Sequence, residues 1–199
     1  HPHADHIGGL VSLVESIPTD TLLDTYSGYG SWTYNHLIER YSDLGTVIKN
    51  PKAGETLNIS PMESIQYFAP DSIFSVNQHN VNNASIVFKL NIGTKSFLFT
   101  GDLEHEGDDA LAKFGDNLKV DILKVGHHGS ITSTTEKVLS IIEPELAVVS
   151  VGDGNKFSHP SPIVMDRLID HKIQIHRTDF SGALWIQSDG KSYWKKEWK

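Results

Sequence analysis

The chain has 199 residues, 17 Lys+Arg against 25 Asp+Glu, a formal net charge of −8 and eleven histidines. Apolar residues make up 38% of it, which is enough for one hydrophobic core and excludes a wholly disordered chain. The absence of cysteine excludes disulfides, thiolate metal sites and cysteine nucleophiles. No stretch approaches the roughly 18 apolar residues of a membrane span, and the acidic balance argues against a nucleic-acid binder that relies on a basic surface.

The hydrophobic pattern predicts helices and strands that alternate along a single domain, residues 1–199. In chain order, we predict a helix at 8–17, a strand at 22–23, a helix at 32–41, strands at 46–49, 56–59, 65–68, 85–92 and 96–100, a helix at 110–114, a strand at 120–125, a helix at 135–142, a strand at 146–151, a helix at 163–171, and strands at 173–176, 183–187 and 193–194. Helices that lie between strands of this kind predict α/β layers.

The first nine residues, HPHADHIGG, are rich in metal-ligand side chains. Alternate residues of an extended segment point the same way, so His1 and His3 can present two imidazoles to one metal. The chain must then turn, which offers Asp5 and His6 to a second position nearby. Imidazole and carboxylate suit zinc, manganese or iron. Because a ligand cluster needs a strand to hold it, we expect a supporting segment upstream of His1.

Two further motifs follow predicted strands. The strand at 96–100 runs into Gly101 and Asp102, and a carboxylate in this position can share its oxygens between two cations. The strand at 120–125 runs into the sequence GHHGS, which contains His127 and His128. Adjacent side chains diverge from the backbone, so at most one of this pair is expected to reach a given metal, while the other can face a substrate.

The remaining histidines divide into two groups. His159, which precedes a Pro and a predicted helix, is a candidate for hydrogen bonding to substrate, and His79 lies in a polar loop where its role stays open. The others have no partner pattern and are interpreted as structural or solvated: His36, His105, His171 and His176.

In this order and spacing, His1-x-His3-x-Asp5-His6, Thr100-Gly101-Asp102 and GHHGS resemble the metallo-β-lactamase superfamily. HPHADHIGGL, FLFTGDLE and DILKVGHHGS are more closely similar to the C-terminal hydrolase domain of ComEC-like DNA-uptake competence proteins. The resemblance implies a four-layer αββα sandwich that here lacks its first strands. It also implies two divalent cations, Zn²⁺ or Mn²⁺, at one edge between the sheets.

Carried over by position, the resemblance implies a role for each motif residue. The metal ligands are His1 and His3 for the first cation, Asp5, His6 and His128 for the second, and Asp102 for both. The catalytic residues are Asp5, His127 and His159. Many superfamily members supply a further histidine to the first cation, but residues 80–85 contain none, which leaves His79 or Asn83 as substitutes and argues against a β-lactamase, glyoxalase or lactonase.

These observations predict a dinuclear metal-dependent phosphodiesterase or nuclease that acts on DNA during uptake. A domain of that kind would lie outside the cytoplasm, at the cell surface or secreted, attached to a membrane channel domain. Two alternatives stay open: a stand-alone hydrolase of a small phosphodiester or ester, and a metal-stabilised binding domain without turnover. The charge of −8 favours weak, salt-sensitive affinity for DNA or a smaller substrate.

Overall fold

A computed structural model describes residues 1–25, 28–70 and 80–196. The helices in these ranges are α1 (Ala4–Ile7), α2 (Leu10–Leu13), α3 (Trp32–Asp43), α4 (His105–Leu111), α5 (Glu136–Ile142), α6 (Pro162–Asp170) and α7 (Thr178–Ser181). The strands are β1 (Thr21–Leu23), β2 (Val47–Lys49), β3 (Thr56–Ser60), β4 (Glu63–Ala69), β5 (Val87–Ile92), β6 (Lys95–Phe99), β7 (Ile122–Lys124), β8 (Leu146–Val149), β9 (Gln174–Arg177), β10 (Trp185–Ser188) and β11 (Tyr193–Lys196). Short 3₁₀ turns lie at Asn82–Ala84, Ala112–Leu118 and Gly126–Gly129.

A seven-stranded mixed sheet in the order β3-β4-β5-β6-β7-β8-β9 forms the centre of the molecule. The strands from β3 to β6 are antiparallel, and those from β6 to β9 are parallel. Helices connect the parallel strands, as such crossovers require. The carboxyl ends of β6, β7 and β8 therefore meet at one edge of the sheet, which is where open α/β sheets bind ligands.

The two faces of this sheet bury different partners. Leu98, Leu123 and Ala147 point to the face covered by α4, α5 and α6, where they join the largest core cluster. Their neighbours along the same strands point to the opposite face and pack against residues of the β10–β11 hairpin, including Ile186. Because each fully buried leucine contributes on the order of 2 kcal/mol, the alternation along β6, β7 and β8 fixes the register of the sheet.

A smaller layer carries the N-terminal motif. Strands β1 and β2 pair in parallel, and α3 packs beside them. Val14, Leu37 and Tyr41 form its buried cluster, against which Ile7 and Leu10 of the first two helices pack. The apolar side chains that follow the histidine-rich segment thus anchor that segment to the fold.

The expected α/β layering is confirmed, and one predicted element is wrong. Of the predicted helix at 8–17, only Leu10–Leu13 (α2) is helical, and a further four-residue helix, α1, lies before it on the other side of Gly8 and Gly9. Asp5 and His6 consequently lie on a helical turn and not in a loop. Within the described ranges, no helix is long and apolar enough to cross a membrane.

A buried carboxyl on α4 makes stability depend on pH. Asp108 is 3% exposed, and its Oδ2 accepts a hydrogen bond from Thr135 N at 2.7 Å. Burial raises the pKa of the Asp108 carboxyl to about 6, although the hydrogen bonds from the backbone and side chain of Thr135 act to lower it. The ordinary value is about 3.9, so the folded protein binds more protons than the unfolded chain between pH ~4 and ~6, and stability falls as the pH rises through that window.

Asp108→Asn cannot ionise but can still accept the bond from Thr135. We expect the variant to match the wild type at pH 4 and to exceed its free energy of unfolding by about 2 kcal/mol at pH 7, measured by urea denaturation. Asp109→Asn, which removes an exposed ion pair with Lys137, is the control and should shift stability by less than about 1 kcal/mol. A difference between Asp108→Asn and wild type that does not change with pH would contradict the assignment.

Candidate metal centre

The N-terminal segment presents its ligand residues in two pairs. His3 has an extended backbone and caps α1, with its carbonyl accepting from His6 N and Ile7 N at 3.0 Å each. His1 Nε2 and His3 Nδ1 lie 3.1 Å apart in front of this turn. Asp5 and His6 lie in the turn itself, with His6 Nε2 3.7 Å from Asp5 Oδ2. Asp5 and His6 therefore lie on the short helix, and His1 and His3 lie in the extended segment before it.

Asp102 follows β6 and is the buried centre of the site, at 2% exposure. Its backbone N–H donates to Ser85 Oγ at 2.9 Å, and Ser85 Oγ also lies 2.9 Å from His1 Nδ1. Gly101 has φ +55°, and a Cβ there would lie 2.6 Å from the Ser85 side chain. The close approach of Gly101 to Ser85 leaves no room for a Cβ, so glycine is required here. It also brings the Asp102 carboxylate next to the histidines.

Three imidazoles, two from the N-terminal segment and one from the loop after β7, converge on one oxygen of this carboxylate. Asp102 Oδ2 lies 3.1 Å from His6 Nε2, 3.6 Å from His1 Nε2 and 3.6 Å from His128 Nε2. Two ligands of one tetrahedral zinc ion are themselves about 3.4 Å apart, so these separations match those around a shared cation.

The GHHGS loop after β7 directs its two histidines apart. His127 has φ +44° and His128 φ +54°, a left-handed conformation that costs non-glycine residues roughly 1–2 kcal/mol each. Loop contacts compensate for this cost: His127 N donates to Gly101 O at 3.0 Å, and Gly126 N donates to Thr134 Oγ1 at 3.1 Å. Strain held in this way by surrounding contacts is typical of functional sites.

His128 belongs to the ligand cluster through its Nε2, which is 3.4 Å from Asp5 Oδ2. Its Nδ1 lies 2.7 Å from Ser150 O, so a proton on Nδ1 leaves Nε2 free as a ligand. His127 is held differently, with Nδ1 3.2 Å from Glu104 Oε1 and Nε2 3.8 Å from Asp102 Oδ2. The geometry therefore favours His128 as the ligand of the pair, with His127 beside it.

The residues fit a divalent cation. Asp5, His6, Asp102 and His128 each offer one ligand atom, and these four atoms lie within 4.8 Å of one another. Buried His6 Nε2, Asp102 Oδ1 and His128 Nε2 have no hydrogen-bond partner among the described residues. An unsatisfied buried polar atom costs about 1–3 kcal/mol, and three of them around one point are explained by a cation that they would bind.

The electrostatics of Asp102 suit the same interpretation. Burial raises the pKa of this carboxyl, but the close approach of the His6 imidazole and the charges of His6, Lys124 and His128 outweigh burial and hold it at about 2. Lys124, from β7, donates to Gly101 O at 3.1 Å and places Nζ 3.9 Å from Asp102 Oδ1. Burial lowers the pKa of Lys124, and the charges of Asp102 and Asp5 oppose that effect.

Residues 80–83, the segment considered for a further metal ligand, hold the loop after Asp102 instead. Asn83 is buried, accepts from Glu104 N at 2.8 Å and donates to Glu106 Oε2 at 3.0 Å, so its side chain is used in holding the loop after Asp102. Asn80 and Asn82 donate to the carboxylate of Glu104 at 3.0 and 3.1 Å. His79, the other candidate, lies outside the described residues.

His159 borders the cluster, with its ring centroid 5.7 Å from that of His127. Burial lowers its pKa, and the charges of His127 and His128 lower it further. Of the histidines interpreted as incidental, His171 pairs with Glu136 at 2.7 Å and His176 contacts Gly182 O at 3.1 Å. All eight residues proposed for the site from sequence therefore lie together: His1, His3, Asp5, His6, Asp102, His127, His128 and His159.

Sequence reasoning missed four supporting residues: Ser85, Glu104, Lys124 and Ser150. Glu104 lies two residues beyond Asp102, and Lys124 lies on the strand that leads to GHHGS, so proximity to a motif was the one available signal. Nothing in the sequence indicates that Ser85 and Ser150 would contact histidines distant from them in the chain.

A histidine and aspartate cluster at the carboxyl edge of a mixed α/β sheet is the site of a metal-binding protein. Residues 1–153 match the family model described as the metallo-beta-lactamase superfamily, so the chain belongs to that superfamily, whose members are generally metal-dependent hydrolases. The expected α/β metallo-β-lactamase fold is thereby confirmed.

The curated relatives confirm the expected likeness to ComEC-type competence proteins. The chain is 30% identical over 184 residues to ComE operon protein 3 of Bacillus subtilis (strain 168), covering 92% of this chain and 23% of that protein. It is 42% identical over 104 residues to competence protein ComA of Neisseria gonorrhoeae, covering 52% and 15%. Recombination protein 2 of Haemophilus influenzae is 31% identical over 186 residues, covering 92% and 21%. The chain thus spans less than a quarter of each of these relatives.

Ser85 supports a testable role in holding ligands. Ser85→Ala leaves Asp102 N–H and His1 Nδ1 without their partner, so we expect the metal-free protein to lose about 1–3 kcal/mol of stability in urea denaturation. We also expect about 10- to 100-fold weaker metal binding, measured by competition with a chromophoric chelator. Ser140→Ala is the control, because it removes an exposed hydroxyl that donates to Glu136 O on the solvent side of α5. Unchanged metal affinity in Ser85→Ala would refute the proposed role.

Proposed function

We propose that this chain is a dinuclear metal-dependent phosphodiesterase that cleaves a DNA strand during uptake. The observation that carries the proposal is the convergence of Asp5, His6 and His128 on the buried carboxylate of Asp102, with ligand atoms that lack hydrogen-bond partners. The competence-related names of the relatives support DNA as the substrate. Their greater length supports a larger ComEC-like protein as the context of this chain. Attachment to a membrane channel domain and a position outside the cytoplasm follow from the ComEC-like resemblance and are part of the proposal.

The ligand set divides into two positions. His1 and His3 would hold the first cation, Asp5, His6 and His128 the second, and Asp102 both. Bound divalent cations would supply Lewis acidity and lower the pKa of the attacking water toward neutrality. The carboxylates of Asp5 and Asp102 orient that water for attack on phosphorus, opposite the leaving oxygen.

His127 and His159 are not assigned as metal ligands and act on the substrate. Glu104 Oε1 lies 3.2 Å from His127 Nδ1, which favours a proton on that nitrogen and turns Nε2 toward the cluster. In its imidazolium form, with a second proton on Nε2, His127 donates that proton to the leaving oxygen, and His159 stabilises charge on the phosphoryl oxygens. The contact with Glu104 is close but not aligned as a hydrogen bond, as is common for catalytic pairs without substrate.

The net charge of −8 favours a second candidate, a smaller phosphodiester as substrate. A short substrate makes few phosphate contacts and so depends little on a basic surface. Turnover of a DNA strand that weakens steeply with added salt would support the first candidate, and a preference for a small diester would support the second.

Elemental analysis of the purified protein and a nuclease assay with added Mn²⁺ test the proposal together. We expect bound divalent metal in the wild type and metal-dependent cleavage of single-stranded DNA. Asp102→Ala should lower kcat/KM at least about 100-fold, because it removes the one carboxylate shared by both positions.

Asp116→Ala is the matched control, since its exposed carboxylate only pairs with Lys119. Full metal-dependent hydrolysis by Asp102→Ala would refute the site assignment. Stoichiometric metal without any product would favour the metal-stabilised binding domain.

The adjacent histidines provide an internal comparison. We expect His128→Ala to lower the metal content and His127→Ala to retain it, since the two side chains face different groups. His127→Ala should slow hydrolysis of a dinucleotide about 10²- to 10⁴-fold and affect a 4-nitrophenyl ester less, because nitrophenolate leaves without a proton. Metal analysis and kcat on both substrates measure these effects, and equal metal loss in the two variants would exclude the division of roles.

A further inference from the structure

A cleft of about 300 Å³ opens directly from the candidate metal centre. Asp5 and His128 of the candidate metal centre line this cleft together with Phe157, His159 and Thr178. Its volume is at the lower end of the range for small-molecule sites, about 300–1,000 Å³. A group attached to a phosphate at the metal centre would therefore enter this cleft.

Phe157 gives the lining of the cleft an accessible aromatic side chain. The side chain is 65% exposed, and its ring lies 5.9 Å from the His159 ring at an interplanar angle of 22°. Lys156 Nζ lies 5.1 Å from the Phe157 centroid. A single exposed apolar side chain is ordinary on a protein surface, so the position of this one needs a separate argument.

Asn155 fixes the loop that carries both rings. Its Nδ2 donates to Gly152 O at 3.1 Å and to His159 O at 2.7 Å. Its Oδ1 accepts from Phe157 N at 3.2 Å and from His159 N at 3.0 Å. One side chain thus uses both donors and both acceptor positions to hold the loop backbone. An exposed aromatic ring on a backbone held in this way is preorganised for binding.

From this arrangement we infer that the cleft is a nucleoside subsite in which Phe157 stacks on a nucleobase next to the scissile phosphate. The inference rests on the proposed phosphodiesterase function, which places the phosphate beside Asp5 and His128. Every base has a π face, so an aromatic platform binds nucleic acid without regard to sequence. The exposed ammonium of Lys156 is free to turn toward a neighbouring phosphate of the same strand.

Two substrates with the same leaving group compare hydrolysis with and without a nucleoside. Methyl 4-nitrophenyl phosphate has neither sugar nor base, and thymidine 5′-(4-nitrophenyl phosphate) has both, so the Phe157 variants identify the part that stacking contributes. The ratio of their kcat/KM values measures the preference for a nucleoside. Since stacking contributes about 1–3 kcal/mol per base, Phe157→Ala should lower this ratio at least about fivefold, mainly through KM for the thymidine ester.

Two further variants identify the cause of that change. Phe157→Trp should preserve the ratio, while Phe157→Leu, which is apolar but has no π face, should lower it as alanine does. Phe180→Ala is the control, because Phe180 is 76% exposed beneath the Arg177 guanidinium but does not line the cleft. A ratio that Phe157→Ala leaves unchanged would overturn the subsite while the phosphodiesterase proposal stands.

Binding without turnover tests the subsite by itself. The probe is fluorescein-labelled octathymidylate with methylphosphonate linkages, which resist hydrolysis and carry no charge, compared with an abasic octamer of the same backbone. We expect fluorescence anisotropy on the metal-loaded protein to show at least about fivefold tighter binding of the thymine-bearing probe, and Phe157→Ala to remove that difference. Equal affinity for the two probes would overturn the inference, whether or not the protein hydrolyses DNA.

Discussion

The buried carboxylate of Asp102 is the point on which the rest of the site depends. A carboxylate at 2% exposure is tolerated only when polar or charged groups compensate for its burial, and here the N-terminal segment and the loop after β7 supply imidazoles and β7 supplies Lys124. These groups come from distant parts of the sequence and meet because the carboxyl ends of parallel strands share one edge. The sheet thus determines the position of the Asp102 carboxylate, and the negative charge of this carboxylate determines which side chains can pack around it.

The segment before β5 shows how one part of the site has been put to another use. Asparagines occupy the region where many superfamily members carry a ligand histidine, and Asn80, Asn82 and Asn83 all bond to the loop that holds Glu104. Glu104 in turn lies against His127. The three asparagines therefore position Glu104, and Glu104 contacts His127. This segment thus acts on the histidine that we propose faces the substrate.

Much of the site could be predicted because its signals are local. One apolar strand leads directly into Gly101 and Asp102, and another leads into GHHGS. These polar groups can therefore be assigned to strand ends without knowledge of the rest of the fold. The left-handed conformations of His127 and His128, which direct the two rings apart, depend on bonds from Thr134 and to Gly101 that no local pattern contains. Helix α1 was missed because a four-residue helix is stabilised by tertiary contacts more than by propensity.

Successive strands of the parallel half of the sheet end in loops with separate tasks. The loops after β6 and β7 carry the carboxylate and the paired histidines, whereas the loop after β8 carries Asn155 and Phe157. Asn155 holds the part of that third loop around Phe157 through its own internal hydrogen bonds, while the start of the loop contacts His128 through the Ser150 carbonyl. That contact comes from the backbone, so side chains beyond Ser150 can change in sequence while the support of His128 is kept. The proposed subsite and the metal cluster can therefore diverge separately within one fold.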